Sequence, residues 1–183
     1  MHLIRQVRPQ IFLKSWQQNH ASVMTDTIQK NAVHIRQWLP WPAEHYALSD
    51  AEHYIHQCHI AEREKGILSL GIWEDGRLIG GISMNHVDAL NHSTHLGYWL
   101  VQEATGRGIM TDTTRYMVNE LFSLHEFHRI VIAAHPENIR SRHIAERLHF
   151  CQEGVLRDVV LHQGQYIDWV IYSLLQTEWL LLP

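Results

Sequence analysis

Long hydrophobic runs, paired cysteines and a net basic charge are all missing from this sequence of 183 residues. The only two cysteines, Cys58 and Cys151, are far apart and match no zinc or redox spacing, which indicates a reducing compartment. No apolar run approaches the length of a membrane span, and the first ten residues lack the apolar core of a signal peptide. These absences predict a cytoplasmic protein that does not cross a membrane.

The charge balance is slightly acidic, with a formal net charge of -4 when the histidines are neutral. A chain of this charge has no general basic field for nucleic acid, so attraction for an anionic ligand must be local. The length suits one domain, and no linker, repeat or low-complexity tract divides it. We therefore expect a single domain over residues 1–183.

The hydrophobic pattern predicts helices first, then antiparallel strands, two strand–helix units and a closing hairpin. Ser49 to Glu52 has the pattern of a capping box, while Asp75-Gly76 and Gln163-Gly164 are typical of hairpin turns. Gly80-Gly81 predicts a bulge or a close backbone approach. The predicted strands cover 11–14, 67–73, 78–86, 92–101, 129–134, 155–161 and 166–174, and the predicted helices cover 17–39, a segment from 51, a segment after 109, and 138–149. This order favours an α/β fold with a central mixed, mostly antiparallel sheet and helices on both faces.

One glycine-rich turn, Thr105-Gly106-Arg107-Gly108-Ile109, lies between a predicted strand and a predicted helix. Backbone N–H groups at the start of a helix attract anions, and pyrophosphate fits such a turn. Arg107 adds a local positive charge. The turn is neither a P-loop nor a dinucleotide fingerprint, because the lysine and the third glycine are absent. Glycines that serve only a tight turn remain the alternative.

Other segments follow this turn in a recognisable order. They are Gly97-Tyr98-Trp99-Leu100-Val101, Asn138-x-x-Ser141, Leu148-His149-Phe150-x-x-Glu153-Gly154, the tail from Gly164 to Trp179, and the earlier Trp38-Leu39-Pro40-Trp41. Together they resemble the GNAT superfamily of N-acetyltransferases, and within it the Rim-type ribosomal-protein N-terminal acetyltransferases. The resemblance covers nearly the whole chain and is densest from Gly97 to Trp179.

The resemblance implies that acetyl-CoA is the co-substrate, held in a cleft where two neighbouring parallel strands splay apart. The backbones of Leu100 and Val101 are then expected to pair with the pantetheine amides, and Asn138 to hydrogen-bond the pantetheine arm. Arg142 is expected either to reach a phosphate or to be a solvated surface residue. The residues expected to cradle the pyrophosphate are Gly106, Arg107, Gly108, Ile109, Met110 and Thr111. No metal is expected, because the helical histidines 53, 56 and 59 do not converge.

The chain departs from the family at the acid that protonates the leaving thiolate, since a common tyrosine falls at Ala145. Ser141 lies one turn earlier on the same helical face and is the predicted replacement, or it only stabilises the start of the helix. No clear carboxylate base is present. The predicted base is His95, then Asp158, then His92, and for each the alternative is an ordinary surface position on a strand.

The implied reaction is direct attack of a primary amine on the thioester, most readily by the N-terminal α-amine of a ribosomal protein. Trp38 and Trp41 are predicted to line the acceptor cleft, or alternatively to plug the join between helices and sheet. Alternative acceptors are a polyamine, an antibiotic or an aminoacyl nucleotide, and a non-catalytic acyl-CoA sensor is a further alternative. No nucleic acid or membrane partner is expected, and the sequence allows a homodimer.

Overall fold

The computed structural model describes residues 3–41 and 45–182, which contain eight strands and six helices. The strands are β1 (Ile4–Arg8), β2 (Ile11–Ser15), β3 (Ser69–Glu74), β4 (Arg77–Asp88), β5 (Ser93–Leu100), β6 (Arg129–Ala134), β7 (Cys151–His162) and β8 (Gln165–Leu175). The helices are α1 (Ala21–Lys30), α2 (Ala32–Arg36), α3 (Leu48–Lys65), α4 (Ile109–Leu124), α5 (Ile139–Arg147) and α6 (Gln176–Trp179). None of the described helices is long and apolar enough to span a membrane.

The strand order is β1-β2-β3-β4-β5-β6-β8-β7, and only the β5–β6 pair is parallel among the pairings of the described strands. The predicted mixed, mostly antiparallel sheet is therefore confirmed. The chain forms two compact units: the first contains Met1–Ser83 and Tyr98–Met110, and the second Met84–Gly97 and Thr111–Pro183. The expectation of a single domain over 1–183 stays a prediction.

In the first unit, helices α1 and α3 share an apolar core with the sheet. Trp16, Met24, Ile28 and Ile55 are all nearly inaccessible to solvent within it. Helical sequence was predicted over roughly 17–39, and the structure divides it, because the chain turns at Asn31 between α1 and α2. The side-chain amide of Asn31 donates to the Thr27 carbonyl oxygen at 3.0 Å, where a continuous helix would need a backbone donor.

The start of α3 also differs from its prediction. The helix begins at Leu48, so Ser49 lies inside it and does not cap it. Instead the Asp50 carboxylate accepts a hydrogen bond from the backbone N–H of Ala47 at 2.8 Å. This is one of the two hydrogen bonds of a capping box, in which an acidic side chain accepts from the backbone N–H of the N-cap residue. It lies two residues before the predicted position.

The second unit is built on β6, which lies between β5 and β8. Its buried core residues include Leu121 of α4, Ile130 and Ile132 of β6, Leu148 directly after α5, and Leu174 of β8. A continuous apolar strand such as β6 is typical of a central position in a sheet covered on both faces. Its predicted bounds, 129–134, are confirmed.

The predicted turns are confirmed by backbone conformation. Asp75 and Gly76 have φ of 46° and 81°, and Gln163 and Gly164 have φ of 49° and 80°. Two successive positive φ angles are the requirement of the type I′ turns that join twisted strands. The register between β3 and β4 also shifts opposite Gly80, which confirms the predicted bulge.

A larger bulge interrupts β7, the last strand in the sheet order. Leu156 pairs with Trp169 and Val160 pairs with Ile167, so three residues of β7 stand opposite one residue of β8. Asp158, at the centre of the bulge, has φ of 51°, and its backbone N–H donates to the Asp168 carboxylate at 2.9 Å. The apolar side chains that flank the bulge are exposed.

Candidate active site

The parallel pair in the second unit opens like a fork. β5 and β6 are paired at Ser93–Arg129, Thr94–Ile130 and His95–Val131. Beyond His95 both strands continue, and β6 goes on pairing with β8 as far as Ala134, but the described register of β5 with β6 has ended. The resemblance to the acetyltransferase family implied a parallel strand pair at this point, and the parallel pairing of β5 with β6 is present. A role for the strand backbone beyond His95 in binding an extended ligand stays a prediction.

His95 lies at the last paired position of that fork. Its side chain is half-buried, and its ring packs edge-to-face against His86 with centroids 5.1 Å apart. Burial lowers the pKa of His95 below its usual 6.5, and the nearby His86 and Arg129 lower it further. The imidazole is therefore neutral at neutral pH and can accept a proton. The sequence did not suggest His86 as a site residue. Its φ of 48° is positive, which is an uncommon backbone conformation in a strand.

The glycine loop of the first unit has the backbone expected of an anion-binding turn. Gly106 and Gly108 both have φ of 75°, both are exposed, and α4 begins at the next residue, Ile109. A positive φ admits glycine without strain, and the loop is followed at once by the positive end of a helix dipole of 16 residues. The side chains of Ile109 and Met110 are buried, so only their backbone faces a ligand.

The Arg107 side chain has a carboxylate partner, and its predicted role toward the pyrophosphate stays a prediction. Its two terminal nitrogens donate to the Glu74 carboxylate at 2.9 and 2.5 Å, a two-pronged ion pair. The ion pair holds the pKa of the Glu74 carboxyl below its usual range and raises that of Arg107. Arg107 therefore ties the loop to the end of β3. From β1, Arg8 also contacts the loop, donating to the Arg107 carbonyl oxygen at 3.2 Å.

The two strand residues expected to hold pantetheine behave differently. The Val101 N–H donates to the Ile79 carbonyl at 2.9 Å, and the Val101 carbonyl accepts from Ala104 at 3.1 Å. Both backbone groups are thus used within the first unit, which argues against Val101 as a pantetheine partner. Backbone groups of successive strand residues point to opposite sides, so those of Leu100 face away from β4. The expected role of Leu100 stays a prediction.

At the other strand of the fork, β6 leads into α5 and its predicted residues. Asn138 caps the helix, and its side-chain oxygen accepts from the Ser141 backbone N–H at 3.1 Å. Ala145, one turn beyond Ser141, is completely buried, whereas Ser141 is half-buried. Ser141 is therefore more accessible than position 145. The catalytic role of Ser141 and the cofactor role of Asn138 stay predictions.

Arg142 has a structural contact that neither of its predicted alternatives included. Its Nε donates to the Tyr172 hydroxyl at 3.0 Å, and its Nη1 donates to the Pro136 carbonyl at 3.0 Å. The Tyr172 hydroxyl in turn donates to the Glu146 carboxylate at 3.1 Å. This network ties α5 to β8 and to the turn before the helix, and so it fixes the direction in which Ser141 is presented.

Trp38 and Trp41, which were predicted to line the acceptor cleft, have different surroundings. Trp41 is 45% exposed and packs edge-to-face against Trp99 of β5, with ring centroids 6.3 Å apart. Gly81 makes room for Trp99, because a Cβ there would lie 2.7 Å from the Trp99 indole nitrogen. Trp38 is half-buried in the turn after α2. Trp41 and Trp99 thus form an aromatic surface beside the end of β5.

The two remaining candidates for the base, Asp158 and His92, are exposed residues. Asp158 is exposed at the centre of the β7 bulge. His92 is exposed in the turn before β5, where its carbonyl accepts hydrogen bonds from the His128 and Arg129 backbones. Of the three candidates, His95 is the one placed at the fork.

A cavity of ≈ 780 Å³ lies in the first unit beside the end of β5. It is lined by α1, the β3–β4 turn and the residues that follow β5. Its charged lining residues are balanced in sign: Asp26 and Glu103 are acidic, and Lys30 and Arg77 are basic. Arg77 and Glu103 form an exposed ion pair at 2.6 Å.

The parallel pair β5–β6, the glycine loop before α4 and the capped helix α5 are each present where the resemblance led us to expect them. The family model described as the acetyltransferase (GNAT) domain matches residues 10–151 of this chain. The chain belongs to the GNAT acetyltransferase family. An acetyltransferase domain is what the matched family model describes.

Two relatives are described as ribosomal acetyltransferases. A putative ribosomal N-acetyltransferase, YdaF, of Bacillus subtilis is 38% identical over 112 residues, which is 61% of this chain and 61% of that protein. The ribosomal-protein-serine acetyltransferase of Escherichia coli is 27% identical over 157 residues, covering 85% of this chain and 87% of that protein. The match thus spans less than two thirds of the length of the first of these relatives.

Solved structures share the fold. The microcin C7 self-immunity acetyltransferase MccE, in complex with acetyl-CoA and AMP, has a TM-score of 0.87, 28% identity and coverage of 92% of this chain and 94% of that one. A probable acetyltransferase has a TM-score of 0.92 with 28% identity, covering 97% and 99%. The ribosomal L7/L12 acetyltransferase RimL in complex with coenzyme A, at 22% identity and a TM-score of 0.90 over 94% and 98%, supports the fold alone.

The described residues fit an acetyl-CoA molecule in two respects. The glycines of the loop have positive φ, with open space around Gly106, and the parallel pairing of β5 with β6 is present over Ser93–His95. In the described part of the chain, no group of three or more histidine, cysteine or acidic side chains is placed to hold a metal.

Proposed function

We propose that this enzyme acetylates the N-terminal α-amine of a protein, and in particular of a ribosomal protein. The observation that carries the proposal is the position of His95 at the last paired position of the fork, with a lowered pKa. A base of this kind suits an amine that loses its proton easily. The names of the relatives, which include ribosomal-protein acetyltransferases, support the same acceptor.

The energetics separate an α-amine from a lysine side chain. An α-ammonium has a pKa of about 7.7–8.0, whereas a lysine ammonium has a pKa of about 10.4. Formation of the neutral, attacking amine therefore costs roughly 3.4 kcal/mol more for a lysine side chain than for an α-amine near neutral pH. The difference corresponds to roughly a 300-fold preference for the α-amine near neutral pH.

In the proposed reaction, the neutral amine attacks the thioester carbonyl carbon and forms the new C–N bond. His95 accepts the proton that the amine nitrogen loses, and a backbone N–H of the open β5 strand polarises the carbonyl oxygen. The C–S bond then breaks, and the leaving thiolate of CoA is protonated or hydrogen-bonded by the Ser141 hydroxyl. The products are an acetylated N-terminus and free CoA.

Cofactor binding in this proposal uses the loop 106–111 for the pyrophosphate, and Leu100 with Asn138 for the pantetheine arm. The solved MccE structure contains acetyl-CoA, which supports the same co-substrate here. The acceptor terminus is proposed to contact the aromatic surface of Trp41 and Trp99. A cytoplasmic location and a homodimer are part of the same proposal.

The sequence favours a protein terminus over a polyamine. A polycationic acceptor is recognised by a dense acidic rim, whereas Glu44, Asp50, Glu52 and Asp88 do not form a dense acidic run in the sequence. Among small amines, one carried on a nucleotide is the second candidate, because MccE was solved with AMP bound beside acetyl-CoA.

Free-thiol release from acetyl-CoA tests the proposal with three acceptors in parallel. The first is a peptide with an N-terminal serine and an internal lysine, the second is the same peptide with its α-amine already blocked, and the third is spermidine. We expect thiol release with the first peptide only. Release with the blocked peptide or with spermidine would reject the α-amine acceptor, and bound acetyl-CoA without any release would favour an aminoacyl nucleotide or the sensor alternative.

A further inference from the structure

The glycine loop is contacted from outside by the N-terminal strand β1. The Nη1 atom of Arg8 donates to the Arg107 carbonyl oxygen at 3.2 Å. The same nitrogen would lie 3.9 Å from a Cβ atom built on Gly108. The contact is between residues 99 positions apart in sequence, so it is a tertiary constraint on the loop and not a local turn.

The planar peptide turns this contact into a constraint on an N–H group. The carbonyl of Arg107 and the N–H of Gly108 belong to one trans peptide and point in opposite directions. By holding the carbonyl toward β1, the Arg8 guanidinium aims the Gly108 N–H away from β1. On its other side the same residue is held by the Arg107–Glu74 ion pair, so this peptide is fixed through both the backbone and the side chain of Arg107.

This orientation matters because both glycines are conformationally permissive. Gly106 and Gly108 lack a Cβ, so the intervening peptide can rotate at low energetic cost unless something else restrains it. A hydrogen bond from a cation also polarises the amide and makes its N–H a better donor. The contact with Arg8 therefore restricts the rotation of the peptide between Arg107 and Gly108, which the glycines do not restrict.

We propose that Arg8 is a positioning residue for the pyrophosphate of acetyl-CoA, acting through the peptide between Arg107 and Gly108. This inference rests on the proposed use of the loop for the cofactor. Arg8 lies before the segment 10–151 that matches the family model, so this contact joins a residue outside the matched segment to the loop inside it. Strand β1 thus has a role in the cofactor site as well as in the sheet.

The test compares coenzyme A with pantetheine, which lacks the pyrophosphate and the nucleotide. Binding of each to the full chain is measured by titration calorimetry for wild type, Arg8→Met and Arg8→Lys. We expect Arg8→Met to weaken coenzyme A binding about fivefold, the effect of losing an ordinary hydrogen bond and less than that of a buried charged one, because the contact is exposed. Pantetheine binding should not change, and Arg8→Lys, which keeps a donor, should recover most of the loss.

Salt distinguishes positioning from general attraction of charge. A hydrogen bond acts at contact distance, so the fivefold ratio should persist at about 0.5 M salt, where the effect of distant charges is screened. The matched control is Arg5→Met, an arginine of the same strand whose backbone pairs with Leu13. We expect wild-type affinity for both ligands in that variant.

Each outcome bears on the proposal. Equal affinity of wild type for coenzyme A and pantetheine would remove the pyrophosphate from the loop and overturn it. An unchanged coenzyme A affinity in Arg8→Met, a loss that vanishes at high salt, or an equal loss for pantetheine would each reject positioning by Arg8. None of these measurements needs an acceptor, so they are independent of whether the α-amine of a protein is the substrate.

Discussion

Replacement of His95 by glutamine tests the proposed base most directly. Glutamine is similar in size and keeps hydrogen-bonding groups, but it cannot take up a proton near neutral pH. At about pH 7.5 an α-amine with a pKa near 7.8 is already about one third neutral. The base is therefore needed only during the attack, and we expect kcat/KM to fall roughly 100-fold, the lower end for general-base catalysis.

The pH profile carries more information than the loss of rate. In wild type both the acceptor amine and His95 must be unprotonated. Because burial lowers the pKa of His95 below 6.5, log kcat/KM should rise with a slope of two below that pKa and a slope of one from there to the amine pKa. In His95→Gln the steeper part should disappear and the slope of one should extend to low pH.

His92→Gln is the matched control, because His92 is an exposed histidine three residues before His95. Its rate and its profile should equal those of wild type. Stopped assays of thiol release over about pH 5–9 give both slopes with the serine peptide. A slope of two that survives in His95→Gln would refute the reasoning and return the base to another group or to water.

The other predictions concern the loop, the leaving group and the stability of the sheet. Gly108→Val should weaken coenzyme A binding more than about tenfold in calorimetry, because a branched side chain resists φ of 75°, whereas Gly164→Val, at φ of 80° in the β7–β8 turn, should leave it unchanged. Ser141→Ala should lower kcat about tenfold or more with little change in acetyl-CoA affinity; an unchanged kcat removes this hydroxyl from the mechanism. Arg129 holds the pKa of Glu153 at about 2, so this pair stabilises the fold above the usual pKa of 4.5 and loses its effect as pH falls toward 2. Since the Glu153 side chain is 41% exposed, Glu153→Gln should lower the free energy of unfolding by only about 1 kcal/mol at pH 7 in urea titrations, and an equal loss at pH 3 would contradict the linkage.

Much of the fold followed from local patterns in the sequence. The bounds of β6 are as predicted, because a short apolar run between turn residues has few alternatives. The type I′ turns at Asp75-Gly76 and Gln163-Gly164 were also predictable, since few residue pairs tolerate two positive φ angles. Strand β1 was missed, because residues 4–8 alternate polar and apolar side chains only weakly and gain their structure by pairing with β2.

The site was predictable where backbone chemistry defines it, and less so where side chains meet across the fold. The glycine loop could be located from two glycines before a helix. The partners of Arg107 could not, because Glu74 and Arg8 are distant in sequence and carry no local signal. The same applies to Trp99 against Trp41, and such contacts become visible only when the strand order is known.

The bulge in β7 has a consequence for the behaviour of the protein in solution. An edge strand with exposed apolar side chains is a template on which another chain can add its own strand. Three residues opposite one break the regular spacing of backbone donors and acceptors, and Asp158 places a charge in the gap. We expect a variant of the protein that lacks two of the three bulge residues to have a straighter edge strand and to aggregate more readily. The bulge therefore protects this edge of the sheet against pairing with another chain.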